Sequence, residues 1–378
     1  MIPFNKPYLT GKEMHYMYQA VMSGKLSGNG IYTEKCQKLM EQQYQFAKVL
    51  LTTSCTDALE MAAILIDIQP GDEVIMPSYT FVSSANPFIL RGAKVVFADS
   101  ETDSPNLDAD LLEGLITPKT KAIVPVHYAG MACDMEKIMT IAEKYNLLVV
   151  EDAAQAIDSY CNGKPLGSFG HLSAFSFHET KNIIAGEGGM LVINDARFAD
   201  RAEIIWEKGT NRSSFFRGEV NKYGWVDIGS SFLPSEITAA FLYAQMENLE
   251  DIQQRRKSLW NLYFQELQVL QDQGQLKLPF VPAYGTNNAH MFYLICKDAA
   301  ERTALITHLN AHKIHSVFHY ISLHTSPYFA DKHDGRMLDH ADHYTECLLR
   351  LPLFYELEQQ QVSYIADSIK EFYAQRSL

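Results

Sequence analysis

A lysine stands just past a short apolar run in Phe175-Ser176-Phe177-His178-Glu179-Thr180-Lys181-Asn182, and the glycine-rich turn Gly186-Glu187-Gly188-Gly189 follows. An amine at a strand end can be desolvated, which lowers its pKa and exposes a lone pair for Schiff-base chemistry. From these residues alone, a surface lysine in a loop competes evenly with that reading. A second stretch, LLVVEDAAQA at 147–156, ends an apolar run in Asp152 and continues in small residues. A carboxylate so placed is deep and needs a hydrogen-bonded or cationic partner. A protonated pyridine nitrogen would serve, and alanines at 153, 154 and 156 would let a flat ring approach the backbone. A helix N-cap is the plainer alternative.

A third stretch, LTTSCTDALE at 51–60, runs from strand into helix through hydroxyl residues. Free backbone N–H groups and the dipole at a helix start form an anion site without basic side chains. Ordinary capping by Ser54 or Thr56 competes, and Asp57 is expected to be exposed and turned away from any anion. A fourth, PSYTF at 77–81, offers Tyr79 and Phe81, either to stack on a ring or simply to pack in the core.

These residues need a scaffold that brings strand ends together. Apolar, β-branched runs at 49–51, 73–76, 94–98, 122–126, 147–151, 172–177 and 190–193 alternate with helical patterns at 56–67, 107–115 and 135–145. Runs without in–out alternation suit strands covered on both faces. The repetition predicts an α/β fold with a mainly parallel sheet of about seven strands, with ligands at the strands' carboxyl ends. Beyond residue 234 the texture changes to a long helix over 235–267. A smaller α/β unit follows, with strands near 290–295 and 315–320 and helices over 299–312 and 358–373. The expected division is a large domain of residues 1–245 and a small C-terminal domain of residues 246–378.

Composition narrows the function classes. The chain has 378 residues, 47% hydrophobic and 20% charged, with a net charge of −13. It can bury a real core, and its acidity argues against a surface for nucleic acid. No apolar run approaches the length of a membrane span, the first residues lack a signal-like pattern, and six cysteines form no CxxC. A cytoplasmic enzyme with reduced thiols is expected. No GxGxxG follows a strand, which disfavours a dinucleotide oxidoreductase. His308/His312 and His315/His319 have i,i+4 spacing but no HExxH, so no metal site is expected. Arg212 and Arg217, in a polar loop, are even candidates for phosphate contacts or plain surface charge.

The four stretches, in this order, resemble the DegT/DnrJ/StrS family of sugar aminotransferases, fold-type I enzymes dependent on pyridoxal 5′-phosphate. The likeness runs end to end, from PFNKP and SGKLSGNG to HYISLH and LPLF, and QPGDEVIMPSYTFVSSAN, VPVHYAG, VVEDAAQA and FSFHETKN…GEGG are jointly specific. The resemblance implies that Lys181 binds the cofactor and shuttles the proton, and that Asp152 pairs with the pyridine nitrogen. Gln155 would lie near the ring oxygen, Phe81 would stack on the ring, and Cys55, Thr56 and Ser176 would hold the phosphate. His178 would support the pocket, and His319, Tyr320 and His324 would border the substrate cleft. Many relatives donate an asparagine to the neighbouring subunit's phosphate from G-x-N-x-R; here Ser231 of Gly229-Ser230-Ser231-Phe232-Leu233 stands in its place, with a shorter reach.

MFYLI, EKGTNR and DIGSSF look most like the branch that makes dTDP-4-amino-4,6-dideoxygalactose. The implied reaction moves the amino group of L-glutamate to C4 of dTDP-4-dehydro-6-deoxy-D-glucose, leaving 2-oxoglutarate. A gluco-configured product, a C3 aminotransferase and a non-catalytic cofactor-binding regulator are the alternatives. Lys181 argues against the dehydratase branch, which has histidine there. A homodimer with a shared site, serving surface polysaccharide synthesis, is also implied.

Overall fold

The computed structural model describes residues 1–376. In chain order its strands are β1 (Val49–Thr52), β2 (Glu73–Pro77), β3 (Lys94–Ala98), β4 (Thr120–Ile123) and β5 (Leu148–Asp152). A small hairpin of β6 (Tyr160–Cys161) and β7 (Lys164–Pro165) precedes β8 (Leu172–Ser176) and β9 (Gly189–Ile193). Apart from the hairpin, these strands form one sheet in the order β1-β9-β8-β5-β4-β2-β3. Every pairing from β8 to β3 is parallel, while β9 runs against both of its neighbours. All seven runs expected as strands lie in this sheet. β1, β2 and β9 are buried along their whole length, as continuous apolar runs between two helical layers require.

Helix Cys55–Leu65 packs on β8 and β9, and Met135–Lys144 packs on β5. Asp134 starts the latter by accepting the Lys137 N–H at 3.1 Å. The expected helix at 107–115 is instead a 3₁₀ turn, Ala109–Leu111, running into the short helix Leu112–Leu115. The Asp108 side chain accepts the Asp110 N–H at 2.9 Å and tightens that turn.

The single helix expected over 235–267 is two, Glu236–Met246 and Leu249–Asp272. Asn248 Nδ2 donates to the Ala244 carbonyl at 2.8 Å and closes the first. The two serve different neighbours. Glu236–Met246 packs against Glu13–Met22 and Ile31–Tyr44, whereas Leu249–Asp272 packs against Gln359–Arg376. Apolar periodicity continues across the break because both halves bury a face, so periodicity alone does not reveal it.

The C-terminal part contains a second, antiparallel sheet of β10 (Phe292–Ile295), β11 (Val317–Phe318) and β12 (Leu348–Leu351), with β12 in the middle. Ile2 joins this part, its N–H donating to the Lys313 carbonyl at 2.8 Å. One buried apolar cluster runs from the large sheet into this unit, and a second lies on the other side of the large sheet. No helix among the described residues is long and apolar enough to cross a membrane.

Candidate active site

Strand order decides which residues meet. Thr52, Gly189 and Ser176 are in register across β1, β9 and β8. The helix beginning at Cys55 rests on Gly189, where a Cβ would stand 2.4 Å from the Cys55 nitrogen. Only glycine permits that approach. Ser54 caps the helix by accepting the Asp57 N–H at 3.1 Å. The Cys55 and Thr56 N–H groups have no acceptor among the described residues. Asp57 is half-buried rather than exposed, because its carboxylate accepts from the Thr53 and Ser54 hydroxyls. It is thereby tied back to the cap.

Ser176 Oγ faces the same region and accepts only a 3.4 Å contact from the His178 N–H. The Thr56 hydroxyl donates to Ser83 Oγ at 2.8 Å, and sequence reasoning passed over Ser83. Burial pushes the Cys55 thiol well above its ordinary range, with Asp152 adding to the effect. Such a thiol is a packing group, not a nucleophile.

Asp152 ends β5, buried, and its Oδ2 accepts a 2.6 Å hydrogen bond from Ser84 Oγ. Its Oδ1 accepts the Ala154 N–H at 3.1 Å. The adjacent Glu151 points to the opposite face, as strand alternation dictates. There it accepts the N–H groups of Gly167, Phe169 and Gly170 and meets His127 Nε2 at 3.0 Å. Of two neighbouring buried carboxylates, one therefore holds a loop and the other faces the site. Gln155 Oε1 accepts the Ala129 N–H at 2.6 Å, and its Nε2 donates to the Tyr320 hydroxyl at 3.1 Å.

Lys181 lines a cavity of about 80 Å³ between the two units, with Gln155, His290, His319, Tyr320 and Arg350 among its walls. Burial pulls its ammonium below the ordinary lysine value of 10.5; nearby Cys55 and Asp152 oppose that shift and Arg350 reinforces it. Nζ makes no hydrogen bond or ion pair among the described residues. The next residue, Asn182, ties this loop to the second unit: its Nδ2 donates to Gln253 Oε1 at 2.7 Å and to the Asn288 carbonyl at 2.8 Å. Its Oδ1 therefore accepts from His290 Nδ1, 2.8 Å away. Burial, with Lys181 next, holds His290 neutral.

The other candidates separate. Phe81 is 53% exposed, its centroid 6.0 Å from that of Tyr320, while Tyr79 is core. His319 stacks on Tyr320 at 3.6 Å and lies 2.7 Å from the Tyr128 hydroxyl. His324 is a joint instead, 2.7 Å from Ser78 Oγ and outside the cavity. His178 sits at the rim near Thr180 and Glu187.

Ser231 is exposed and lines a different cleft of about 330 Å³ with Lys25, Lys208 and Arg212. Arg217 is paired with Glu203 and Glu219, which favours surface charge. His308 and His312 cluster with Glu371 on the outside of the C-terminal unit. Their nitrogens already contact the Ser368 and His308 carbonyls. Asn182, the neighbour of Lys181, was not singled out in the sequence, and His290 and Arg350 were missed because nothing local to them places them beside a lysine from another part of the chain.

The fold is that of the pyridoxal 5′-phosphate-dependent aminotransferases. The structure of the aminotransferase TlmJ from Streptoalloteichus hindustanus matches it with a TM-score of 0.91 over 100% of both chains, at 28% identity. Within that class, the chain belongs to the DegT/DnrJ/EryC1/StrS aminotransferase family, whose profile matches residues 7–370. It is 33% identical to the GDP-perosamine synthase of Escherichia coli O157:H7, over 99% of each chain. It is 31% identical to the spore coat polysaccharide biosynthesis protein SpsC of Bacillus subtilis, over 98% of this chain and 96% of the relative. It is a sugar aminotransferase.

Members of this family depend on pyridoxal 5′-phosphate, and the residues present fit that group. The two unpaired N–H groups at Cys55 and Thr56 suit a phosphate. Asp152 keeps accepting capacity beside its two donors, and Lys181 is desolvated without a fixed partner.

Proposed function

We propose that this enzyme moves the amino group of L-glutamate to C4 of dTDP-4-dehydro-6-deoxy-D-glucose, giving dTDP-4-amino-4,6-dideoxy-D-galactose and 2-oxoglutarate. The observation that carries the sugar assignment is a pairing. EKGTNR and DIGSSF are joined by the Glu207–Ser231 bridge, beside the cleft that holds Lys25, Lys208 and Arg212. Three cations at one cleft suit a nucleoside diphosphate. Incubation with the keto sugar nucleotide and glutamate, followed by NMR of the product, tests the assignment. Ring couplings of the galacto configuration at C4 are expected; a gluco pattern or an amine at C3 would refute it. A second reading, a guanosine-linked 4-keto-6-deoxy sugar, is favoured by the likeness to the GDP-perosamine synthase and is assayed in the same way.

Bound pyridoxal 5′-phosphate supplies an electron sink next to the carbon that bears the amine. Lys181 Nζ takes and returns the proton at that carbon, for which a depressed pKa suits it. Asp152, oriented by Ser84, would pair with the pyridine nitrogen and keep it protonated. Gln155 would lie beside the ring oxygen, and Phe81 would cover one ring face. Residues 1–245 form the cofactor-binding unit in this reading, and 246–378 the smaller one. The enzyme works in the cytoplasm as a homodimer with a shared site. The exposed Phe216, at the end of the short helix Arg212–Phe216, and Trp225 and Ile228, on the segment leading to Ser231, suit a subunit contact. The likeness to SpsC supports a role in surface polysaccharide.

The phosphate cup makes a measurable demand. Ser176→Ala removes a charge-assisted hydrogen bond of about 1.5–3 kcal/mol. Cofactor titration of the apoprotein should then show affinity reduced roughly 10- to 100-fold. Cys55→Ala should leave it unchanged, because only the backbone of residue 55 faces the anion. Weakening in Ser231→Ala would assign a donor to the partner subunit.

A further inference from the structure

Helix Ala299–Ala311 carries His308 in its last turn, and His312 caps its end. Residues four apart share a helix face, and the two rings lie side by side with centroids 4.3 Å apart. Their tautomers are fixed by the backbone. His308 Nε2 stands 2.9 Å from the Ser368 carbonyl, and His312 Nδ1 stands 2.9 Å from the His308 carbonyl. A carbonyl only accepts, so each of these nitrogens carries a proton. In the neutral rings that leaves the lone pairs on His308 Nδ1 and His312 Nε2. A carbonyl behind an imidazole is also the arrangement that orients histidine ligands at metal sites.

Ser368 belongs to helix Gln359–Arg376, which packs against the first helix and supplies a third group. Glu371 Oε2 stands 3.8 Å from His312 Nε2, and its Oε1 accepts from Gln375 Nε2 at 2.9 Å. Two acceptors thus face each other across a gap wider than a hydrogen bond, and a cation between them would satisfy both. The Tyr364 hydroxyl, on the same helix, donates to the His312 carbonyl at 3.3 Å and steadies that residue. One nitrogen of each histidine and one Glu371 oxygen lie within 4.8 Å of one another. Bonds of about 2.1 Å to a tetrahedral ion put ligand atoms about 3.4 Å apart. The exposed Glu371 and half-buried His312 have room to close that difference.

His324 and His333 provide the contrast. Their ring centroids are 4.9 Å apart, but each ring turns to its own aspartate, Asp342 or Asp334. No three ligand atoms converge there; among the described residues, only His308, His312 and Glu371 bring three together.

We propose that His308, His312 and Glu371 bind a divalent transition-metal ion that clasps helix Ala299–Ala311 to helix Gln359–Arg376. Two imidazoles and a carboxylate suit zinc, nickel or copper, whereas magnesium and calcium take oxygen ligands. Three protein ligands leave a fourth position to water. None of the three residues lines the Lys181 cavity, so the ion serves the C-terminal unit and takes no part in amino transfer. The histidine spacing, without HExxH, marked no third ligand; packing of the second helix supplies it.

The holoenzyme, whose cofactor occupies the Lys181 cavity, is freed of metal with EDTA and titrated with Zn²⁺ in a calorimeter. One ion per chain is expected. Loss of an outer-shell partner already weakens a metal site about 10- to 100-fold, so His312→Ala and Glu371→Gln should each lose at least that much. Co²⁺ in place of Zn²⁺ should give the wild type a visible d–d band that both variants lack. With Zn²⁺ at about a hundredfold excess over its Kd, the wild type should melt about 2–4 °C higher, and the variants should not. His333→Ala, at the other histidine pair, should bind as the wild type does. A wild type that binds no Zn²⁺ would overturn the proposal and leave His312 and Glu371 as an ion pair. Unchanged affinity in either variant, loss of the site in His333→Ala, or binding without the rise in melting temperature would overturn it equally.

Discussion

Lys181→Ala should reduce turnover by about 10³-fold or more while the protein keeps its fold. A positioned acid–base group contributes roughly 10²–10⁴-fold, and the same side chain also holds the cofactor. Nothing in the fold depends on this amine, since Nζ makes no hydrogen bond or ion pair among the described residues. The backbone N–H of Lys181, which donates to the His178 carbonyl at 2.9 Å, survives the substitution. Turnover and circular dichroism of the purified variant measure the two parts of this expectation. Borohydride should fix the cofactor to the wild-type peptide bearing residue 181, and label on another lysine would defeat the assignment. The pH dependence has a definite sign. Burial holds the amine below 10.5, so its neutral, reactive fraction at a given pH exceeds that of a solvent lysine. Labelling of the apoprotein at Lys181 should therefore rise through a midpoint below that of the surface lysines.

Asp152→Asn should slow the half-reaction with glutamate by about 10²–10³-fold with little change in stability. Asparagine keeps the shape: its oxygen can accept the Ala154 N–H, and its Nδ2 can donate to Ser84 Oγ where the carboxylate had accepted. It loses the charge that holds a pyridine nitrogen protonated. Removing one preorganised electrostatic partner from a water-excluded site costs about 2.7–4 kcal/mol in the transition state. Stopped-flow absorbance with saturating glutamate measures the loss, and denaturant titration checks the fold. A near-wild-type rate would leave Asp152 as no more than a turn-forming residue.

Much of this site was legible in the linear chain because its parts are local. A continuous apolar run ending in Asp152, a lysine after another run, and hydroxyls leading into a helix each declare a strand end or a helix start. Parallel α/β sheets gather such ends on one side. Locality also explains the errors. Whether 235–267 is one helix or two depends on the Asn248 side chain and on packing against different neighbours. The orientation of Asp57 depends on two hydroxyls that offered a better partner than water.

The large sheet, the lysine, the buried aspartate and the anion-binding helix start were written in short segments, because strand and helix periodicity act over a few residues. The walls opposite Lys181 were not. His290, His319 and Arg350 come from the C-terminal unit and reach the cavity only after the small sheet docks through Asn288, whose Nδ2 donates to the Gln155 and Ile157 carbonyls at 2.7 and 2.8 Å. An arginine on a short strand carries no local mark of facing a cavity whose lysine comes from another part of the chain. That property arises when two separately encoded units close over the same space, and only packing at that distance can produce it.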